Sequence, residues 1–135
     1  MPPKDYLLIG SHSLRLQAGA RIALPVEWQQ ELADRKTLLV VKPTTRPFIV
    51  LIPADTLNAA DDEAIRRLGL PVHKRCIDAR GRIRLPRDLI EAVGLKADLV
   101  AVGVLSGIEL WDPKAFDYHI RFSNAWRGAA AEIGL

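Results

Sequence analysis

Residues 77–89 read IDARGRIRLPRDL and residues 16–28 read LQAGARIALPVEW, so one short pattern occurs twice at a shift of about sixty residues. Two more stretches repeat in the same order: TLLVVKP from Thr37 aligns with DLVAVGV from Asp98, and, with a one-residue slip, FIVLIPADTL from Phe48 aligns with IELWDPKAF from Ile108. Three segments in register predict two copies of one unit. We place them at residues 1–70 and 71–135, with a junction near Gly69.

Each copy predicts short strands around one small helix. In the second copy, Gly81 interrupts an alternating pattern and predicts a tight hairpin or a bulge, because glycine adopts positive φ at little cost. Gly94 is expected to end the following helix, and Asp112 to cap the next one. The predicted strands are 13–17, 21–24, 38–42, 48–52, 77–80, 82–85, 99–104 and 108–111, and the predicted helices are 26–33, 61–68, 87–93 and 113–133.

Neither copy has enough apolar residues for a stable core of its own. We therefore predict an α+β fold, mostly β, in which the two units interlock. The expected result is one sheet-rich barrel with pseudo-twofold symmetry and short helices.

The positive charge of the chain is concentrated in one segment. The net charge is +3, but residues 72–87, here called the basic stripe, carry +5, so the remainder carries −2. Such a stripe is typical of a protein that binds a polyanion, although a solvated basic strand has the same composition. The stripe holds one acid, Asp78, and six basic residues: Lys74, Arg75, Arg80, Arg82, Arg84 and Arg87.

Two features fix the expected geometry of the stripe. Asp78 and Arg82 lie four residues apart across Gly81, so they can form an ion pair that holds the turn. On a regular strand, Arg80, Arg82 and Arg84 would share one face, and a bulge at Gly81 would disturb only Arg80.

Catalytic, metal and membrane signatures are absent from the sequence. It contains no GxxxxGK[ST], GxGxxG or HExxH motif, and no apolar run near the roughly 18 residues of a membrane span. His73 and Cys76 are spaced like zinc ligands, but a structural site needs four donors. A single cysteine and the lack of a secretory signal lead us to expect a cytoplasmic protein with no cofactor, no small-molecule substrate and no catalytic residues.

The three tryptophans invite a second interpretation, as platforms on which nucleic-acid bases stack. Trp28 and Trp111 align with leucines of the other copy, so we expect both in the core. Trp126 lies near the end of the chain and is a candidate for a subunit contact.

The second copy resembles a known family. The sequence DARGRIRLP at residues 78–86, a short helix, VGV at 102–104 and IELW at 108–111 resemble the second repeat of the MraZ proteins, and GSHSLRL at 10–16 is similar to the opening strand of that family. MraZ proteins contain two tandem swapped-hairpin repeats of the AbrB type, each marked by a D-x-x-x-R motif. The resemblance therefore implies a double-split β-barrel built from two such repeats.

The resemblance also implies a function. MraZ proteins are nucleoid-associated transcriptional regulators that assemble as ring-shaped homo-oligomers. They bind short direct repeats in double-stranded DNA near division and cell-wall genes, through the D-x-x-x-R segments. The second motif is intact here as Asp78 and Arg82, whereas the first keeps Arg21 but has Gln17 in place of the acid.

We therefore predict a DNA-binding regulator without enzymatic activity. Its predicted DNA-binding residues are Arg21, Lys74, Arg75, Arg80, Arg82 and Arg84, with Asp78 and Gly81 shaping the turn. The first repeat is expected to contribute less, because Gly19 and Ala23 stand where the second repeat has Arg80 and Arg84. The alternatives are an AbrB-type module that binds an acidic protein and, more remotely, a small enzyme.

Overall fold

The computed structural model describes residues 6–32, 37–56, 63, 66–67, 69 and 71–122. Within them the chain forms eight strands, a short 3₁₀ turn at Ala54–Thr56 and three helices with described bounds, and residues 63 and 66–67 are also helical. The strands are β1 (Ser11–Arg15), β2 (Arg21–Ala23), β3 (Thr37–Val41), β4 (Phe48–Pro53), β5 (His73–Cys76), β6 (Arg82–Arg84), β7 (Asp98–Gly103) and β8 (Ile108–Trp111), and the helices are α1 (Val26–Glu31), α2 (Arg87–Val93) and α3 (Pro113–Phe122).

The strands of the two halves pair with each other. Six form an antiparallel sheet in the order β1-β7-β8-β4-β3-β5, and β2 and β6 form a separate two-stranded ribbon. Four pairings, β1 with β7, β5 with β3, β4 with β8 and β2 with β6, join an early strand to a late one. This reciprocal pattern agrees with the interlocked, mostly β fold that the sequence predicts.

The predicted closed barrel differs from the observed sheets. The six-stranded sheet ends at β1 and β5, and the described strands do not close it. The reason is local, because turns with positive φ at Gly19, Ala20 and Gly81 redirect the chain before β2 and β6. Among the described strands, β2 and β6 form a ladder with each other and with no strand of the six-stranded sheet.

The core is built from equivalent positions of the two halves. Ile22 and Ile83 are buried side by side from β2 and β6, and Leu38 and Leu99 are buried in β3 and β7. The two tryptophans expected in the core are 2% and 3% exposed, for Trp28 and Trp111 respectively. Both are therefore core residues, as their alignment with leucines predicts.

The helix boundaries agree with the capping residues. Helix α2 covers the predicted residues 87–93 and ends at Gly94 with φ of 76°. Asp112 accepts hydrogen bonds from the backbone N–H groups of Lys114 and Ala115, both at 3.1 Å, and so caps α3. The helix predicted over 61–68 lies mostly outside the described residues, as do Trp126 and the predicted continuation of α3 to residue 133. No helix in the described part of the chain has the length and apolarity needed to cross a membrane.

Candidate nucleic-acid interface

The ribbon of β2 and β6 brings arginines of both halves onto one face. Ile22 is directly opposite Ile83, and both side chains point into the core. Because successive side chains on a strand alternate between its two faces, the neighbours of these isoleucines point outward. Arg21 lies opposite Arg84, and Ala23 lies opposite Arg82.

The turn that leads into β6 is organised by Asp78. Its Oδ1 accepts hydrogen bonds from the backbone N–H of Arg80 at 2.8 Å and of Arg82 at 2.9 Å. Its Oδ2 accepts a third from Nε of Arg82 at 3.1 Å, which confirms the predicted ion pair. The backbone N–H of Arg82, helped by that of Arg80 and by the Arg82 guanidinium, holds the pKa of Asp78 below its ordinary value of 3.8.

Gly81 closes this turn where no other residue fits well. Its φ is +75°, and a Cβ at this position would overlap the side-chain amide of Gln29 in α1. That amide donates to the backbone oxygen of Leu24 at 2.6 Å, while the N–H of Leu24 donates to the oxygen of Gly81 at 3.0 Å. The turn of the second half is therefore fastened to the helix of the first.

The first half has a corresponding turn without the acid. Gln17 and Arg21 are joined by backbone hydrogen bonds of 2.7 and 3.4 Å, and Gly19 and Ala20 both have positive φ. This backbone places Arg21 at the start of β2 much as Asp78 places Arg82 at the start of β6. The damaged motif thus keeps its turn but has no carboxylate beside its arginine.

A surface depression collects most of the predicted DNA-binding residues. Arg75, near the end of β5, joins the three arginines of the ribbon there, and Asp78 and Cys76 complete the lining. Lys74 and Arg80 are exposed and lie outside it. We call this feature the arginine depression; its lining residues are Arg21, Arg75, Cys76, Asp78, Arg82 and Arg84.

The cations of the arginine depression are poorly neutralised. Only Arg82 forms an ion pair with the single acid, and neither Arg21 nor Arg84 pairs with any described carboxylate. Nε of Arg75 is buried without a hydrogen-bond partner, and its Nη1 donates to the backbone oxygen of Lys74 at 3.1 Å. Uncompensated positive charge at one place on the surface favours binding of an anion.

Two residues outside the set of predicted DNA contacts lie in or near the two turns. Cys76 lies in the depression, where its Sγ is 3.9 Å from the hydroxyl of Thr37. Arg87, which belongs to the stripe but is not among the predicted contacts, lies at the start of α2 beside the first turn. The charge pattern of the stripe does not indicate which of its basic residues lie beside a turn.

The internal repeat holds a further signal that was missed. At the same shift that aligns the two turns, His12 falls on His73 and Glu27 falls on Asp88. In the structure Nε2 of His12 is 3.4 Å from Glu27, and Nε2 of His73 is 3.5 Å from Asp88. Each first strand thus lies against the small helix of its own half, although His73 Nε2 is buried without a hydrogen-bond partner.

Comparison with known proteins shows which proteins this chain is similar to. A family model described as "MraZ protein, putative antitoxin-like" matches residues 72–128, the half that carries the intact motif. The chain is 27% identical to the transcriptional regulator MraZ of Treponema denticola, covering 93% of this chain and 95% of that protein. It is 25% identical to the transcriptional regulator MraZ of Rhodococcus opacus, covering 96% of this chain and 97% of that protein. It is 29% identical to the one from a Nocardioides species, covering 78% of this chain and 80% of that protein.

Proposed function

We propose that the chain is a sequence-specific, DNA-binding transcriptional regulator of the MraZ family, since the family model matches residues 72–128 and relatives named MraZ match most of its length. The observation that carries the proposal is the convergence of Arg21, Arg82 and Arg84 on the outer face of one ribbon. Its relatives are named transcriptional regulators, which supports the same role here. We propose no enzymatic activity, no cofactor and no small-molecule substrate.

The arginines would supply most of the affinity. Guanidinium groups attract the phosphates of duplex DNA and release its condensed counterions, which makes binding strongly dependent on salt. An arginine that forms two hydrogen bonds with a guanine edge would add sequence preference. We propose Arg21, Lys74, Arg75, Arg80, Arg82 and Arg84 as the contact residues, and short direct repeats near division and cell-wall genes as the targets.

The remaining parts of the proposal concern organisation. We propose two tandem swapped-hairpin repeats of the AbrB type, at residues 1–70 and 71–135, in a nucleoid-associated cytoplasmic protein. The reciprocal pairing of β1 with β7 and of β5 with β3 supports this division. We also propose a ring-shaped homo-oligomer, in which several weak contacts would act together on repeated sites.

The test is a titration of duplex DNA with a variant in which Arg80, Arg82 and Arg84 are replaced by alanine. We expect strongly weakened binding, and a plot of log K against log salt that is shallower by about 0.9 for each phosphate that the variant no longer binds. The matched control replaces three exposed basic residues outside the stripe, Arg46, Lys96 and Lys114. It should bind nearly as the unmodified protein does.

The outcomes separate the two candidate functions. A folded triple variant with an unchanged salt slope would show that the stripe is not the DNA surface. If the unmodified protein does not bind any duplex at low salt, the alternative of a module for an acidic protein is favoured, and the missing acid at Gln17 already points that way. Selection of bound fragments from random DNA would identify the operator.

A further inference from the structure

The ribbon places two arginines in an arrangement that is unfavourable without a ligand. Arg21 and Arg84 are directly opposite each other on neighbouring antiparallel strands. Directly opposed residues have Cα atoms about 4.5–5.5 Å apart, and like charges in this position destabilise a sheet. Neither arginine has an ion-pair partner among the described carboxylates, so those carboxylates do not relieve the repulsion.

Arg75, on the neighbouring strand β5, adds a third cation that forms no ion pair with the carboxylates of the described residues. It lines the arginine depression together with Arg21 and Arg84. Its Nε is shielded from solvent and lacks a hydrogen-bond partner. A donor buried in this way costs free energy, and such groups are often completed by a bound ion or ligand.

The one acid of the depression does not compensate these charges. Asp78 already accepts three hydrogen bonds, two from backbone N–H groups and one from Arg82. Its carboxylate is therefore occupied in holding the turn, and three cations remain for a ligand.

We infer that the arginine depression binds a single phosphoryl group between Arg21 and Arg84, with Arg75 as the third cation. The inference rests on the proposed function in taking a backbone phosphate of DNA as the source of that group. A guanidinium presents planar pairs of N–H donors that match the oxygens of a phosphate. The two halves of the chain thus share one phosphate across the ribbon, and Arg75 and Arg84 belong to the site although they lie outside the D-x-x-x-R motif.

Sharing has a measurable signature in the salt dependence of binding. If Arg21 and Arg84 contact one phosphate, replacing both with alanine lowers the salt slope by about 0.9 in total, whereas two separate phosphates would lower it by about 1.8. The loss of affinity in the double variant should likewise be smaller than the product of the two single losses. The matched control pairs Arg80→Ala with Arg84→Ala, since Arg80 lies outside the depression, and there the two effects should add.

Stability in the absence of DNA separates a binding role from a structural one. Because opposed like charges destabilise a sheet, Arg21→Ala and Arg84→Ala should keep or raise the Tm in chloride buffer. Inorganic phosphate at equal ionic strength should raise the Tm of the unmodified protein and leave that of the double variant unchanged.

The two measurements distinguish failure of this site from failure of the proposed function. DNA binding with additive slopes would overturn the shared site and leave the regulator role intact. Absence of DNA binding, with a phosphate effect that needs both arginines, would keep the site and identify free phosphate as its source. Absence of both DNA binding and the phosphate effect would overturn both proposals.

Discussion

Asp78 acts at the scale of a single residue, since one carboxylate satisfies three donors of the turn. Its lowered pKa means that the folded state binds a proton less readily than the unfolded state. The stabilisation is therefore fully present above the unfolded value near 3.8 and is lost as the pH falls through the lower folded value.

We expect Asp78→Ala to destabilise the protein at neutral pH, and Asp78→Asn to do so less, because an amide oxygen can still accept from the two backbone N–H groups. The difference in free energy of unfolding from the unmodified protein should stay constant down to about pH 4 and shrink below it. Urea unfolding across this range measures it. A difference that already disappears at about pH 6 would assign the effect to another group.

Two glycines with nearly the same φ allow the conformational and packing costs to be separated. Gly81 and Gly94 have φ of +75° and +76°, but a Cβ would meet Gln29 at Gly81 and nothing within 4 Å at Gly94. We expect Gly94→Ala to cost about 1 kcal/mol for the left-handed backbone. Gly81→Ala should cost a further amount of about 1–3 kcal/mol for overpacking. Equal midpoints of denaturant unfolding in the two variants would show that Gln29 moves aside freely.

At the scale of elements, the ribbon makes the asymmetry of the two repeats testable. Ala23 lies on the outward face of β2, opposite Arg82. In the repeat alignment, Ala23 corresponds to Arg84 of the second half. Ala23→Arg should tighten non-specific DNA binding at low salt and steepen the salt slope by about 0.9 for one additional phosphate bound.

Arg21→Ala should weaken binding less than Arg82→Ala, since in the proposed site Arg84 would still contact the phosphate. Circular dichroism should confirm that both variants are folded. If Arg21→Ala abolishes binding and Arg82→Ala is tolerated, the first turn would be the principal DNA contact despite its missing acid.

Local signals predicted some elements well and others poorly. Helix α2 was located to the residue because Pro86 and Gly94 mark its two ends. The strand predicted over 77–80 was wrong, since β5 ends at Cys76 and residues 78–81 form the turn around Asp78. The first half shows the same displacement, with β1 at Ser11–Arg15 instead of 13–17. Alternating residues beside a glycine resemble a strand whether they form a ladder or a turn.

The site was predictable in composition and not in geometry. Net charge located the stripe, and the repeat identified Arg21 as the counterpart of Arg82. That Arg21 lies opposite Arg84 depends on the pairing of β2 with β6, which are about sixty residues apart. Such a register is set by the shared core under Ile22 and Ile83, and no local pattern contains it.

At the scale of the whole molecule, several apolar side chains of the described residues are exposed. Leu7 and Ile9 are 69% and 60% exposed, and Leu105, which lies on the segment paired with Leu8, is 54% exposed. Contiguous exposed apolar side chains mark contact surfaces. We expect sedimentation velocity to show a homo-oligomer larger than a dimer at micromolar concentration. A monomer under these conditions would contradict the proposed ring.

The interlocked sheet also determines what the halves can do alone. Four strand pairings cross between residues 6–56 and 71–122, and within the halves only β3 pairs with β4 and β7 with β8. A half expressed alone would leave β1 or β5 unpaired and expose the core isoleucine of its ribbon strand. Neither fragment, 1–70 or 71–135, should therefore form a folded monomer.

Mixing the two fragments in equal amounts should restore the circular dichroism and cooperative unfolding of the intact chain, because each supplies the strands that the other lacks. Two copies of fragment 71–135 could pair β6 with β6 around Ile83 and so fold as a dimer. The mass of this fragment must therefore be measured alongside its circular dichroism spectrum. A cooperatively folded monomer of either fragment would mean that the pairings across the halves add to a fold that each unit already has.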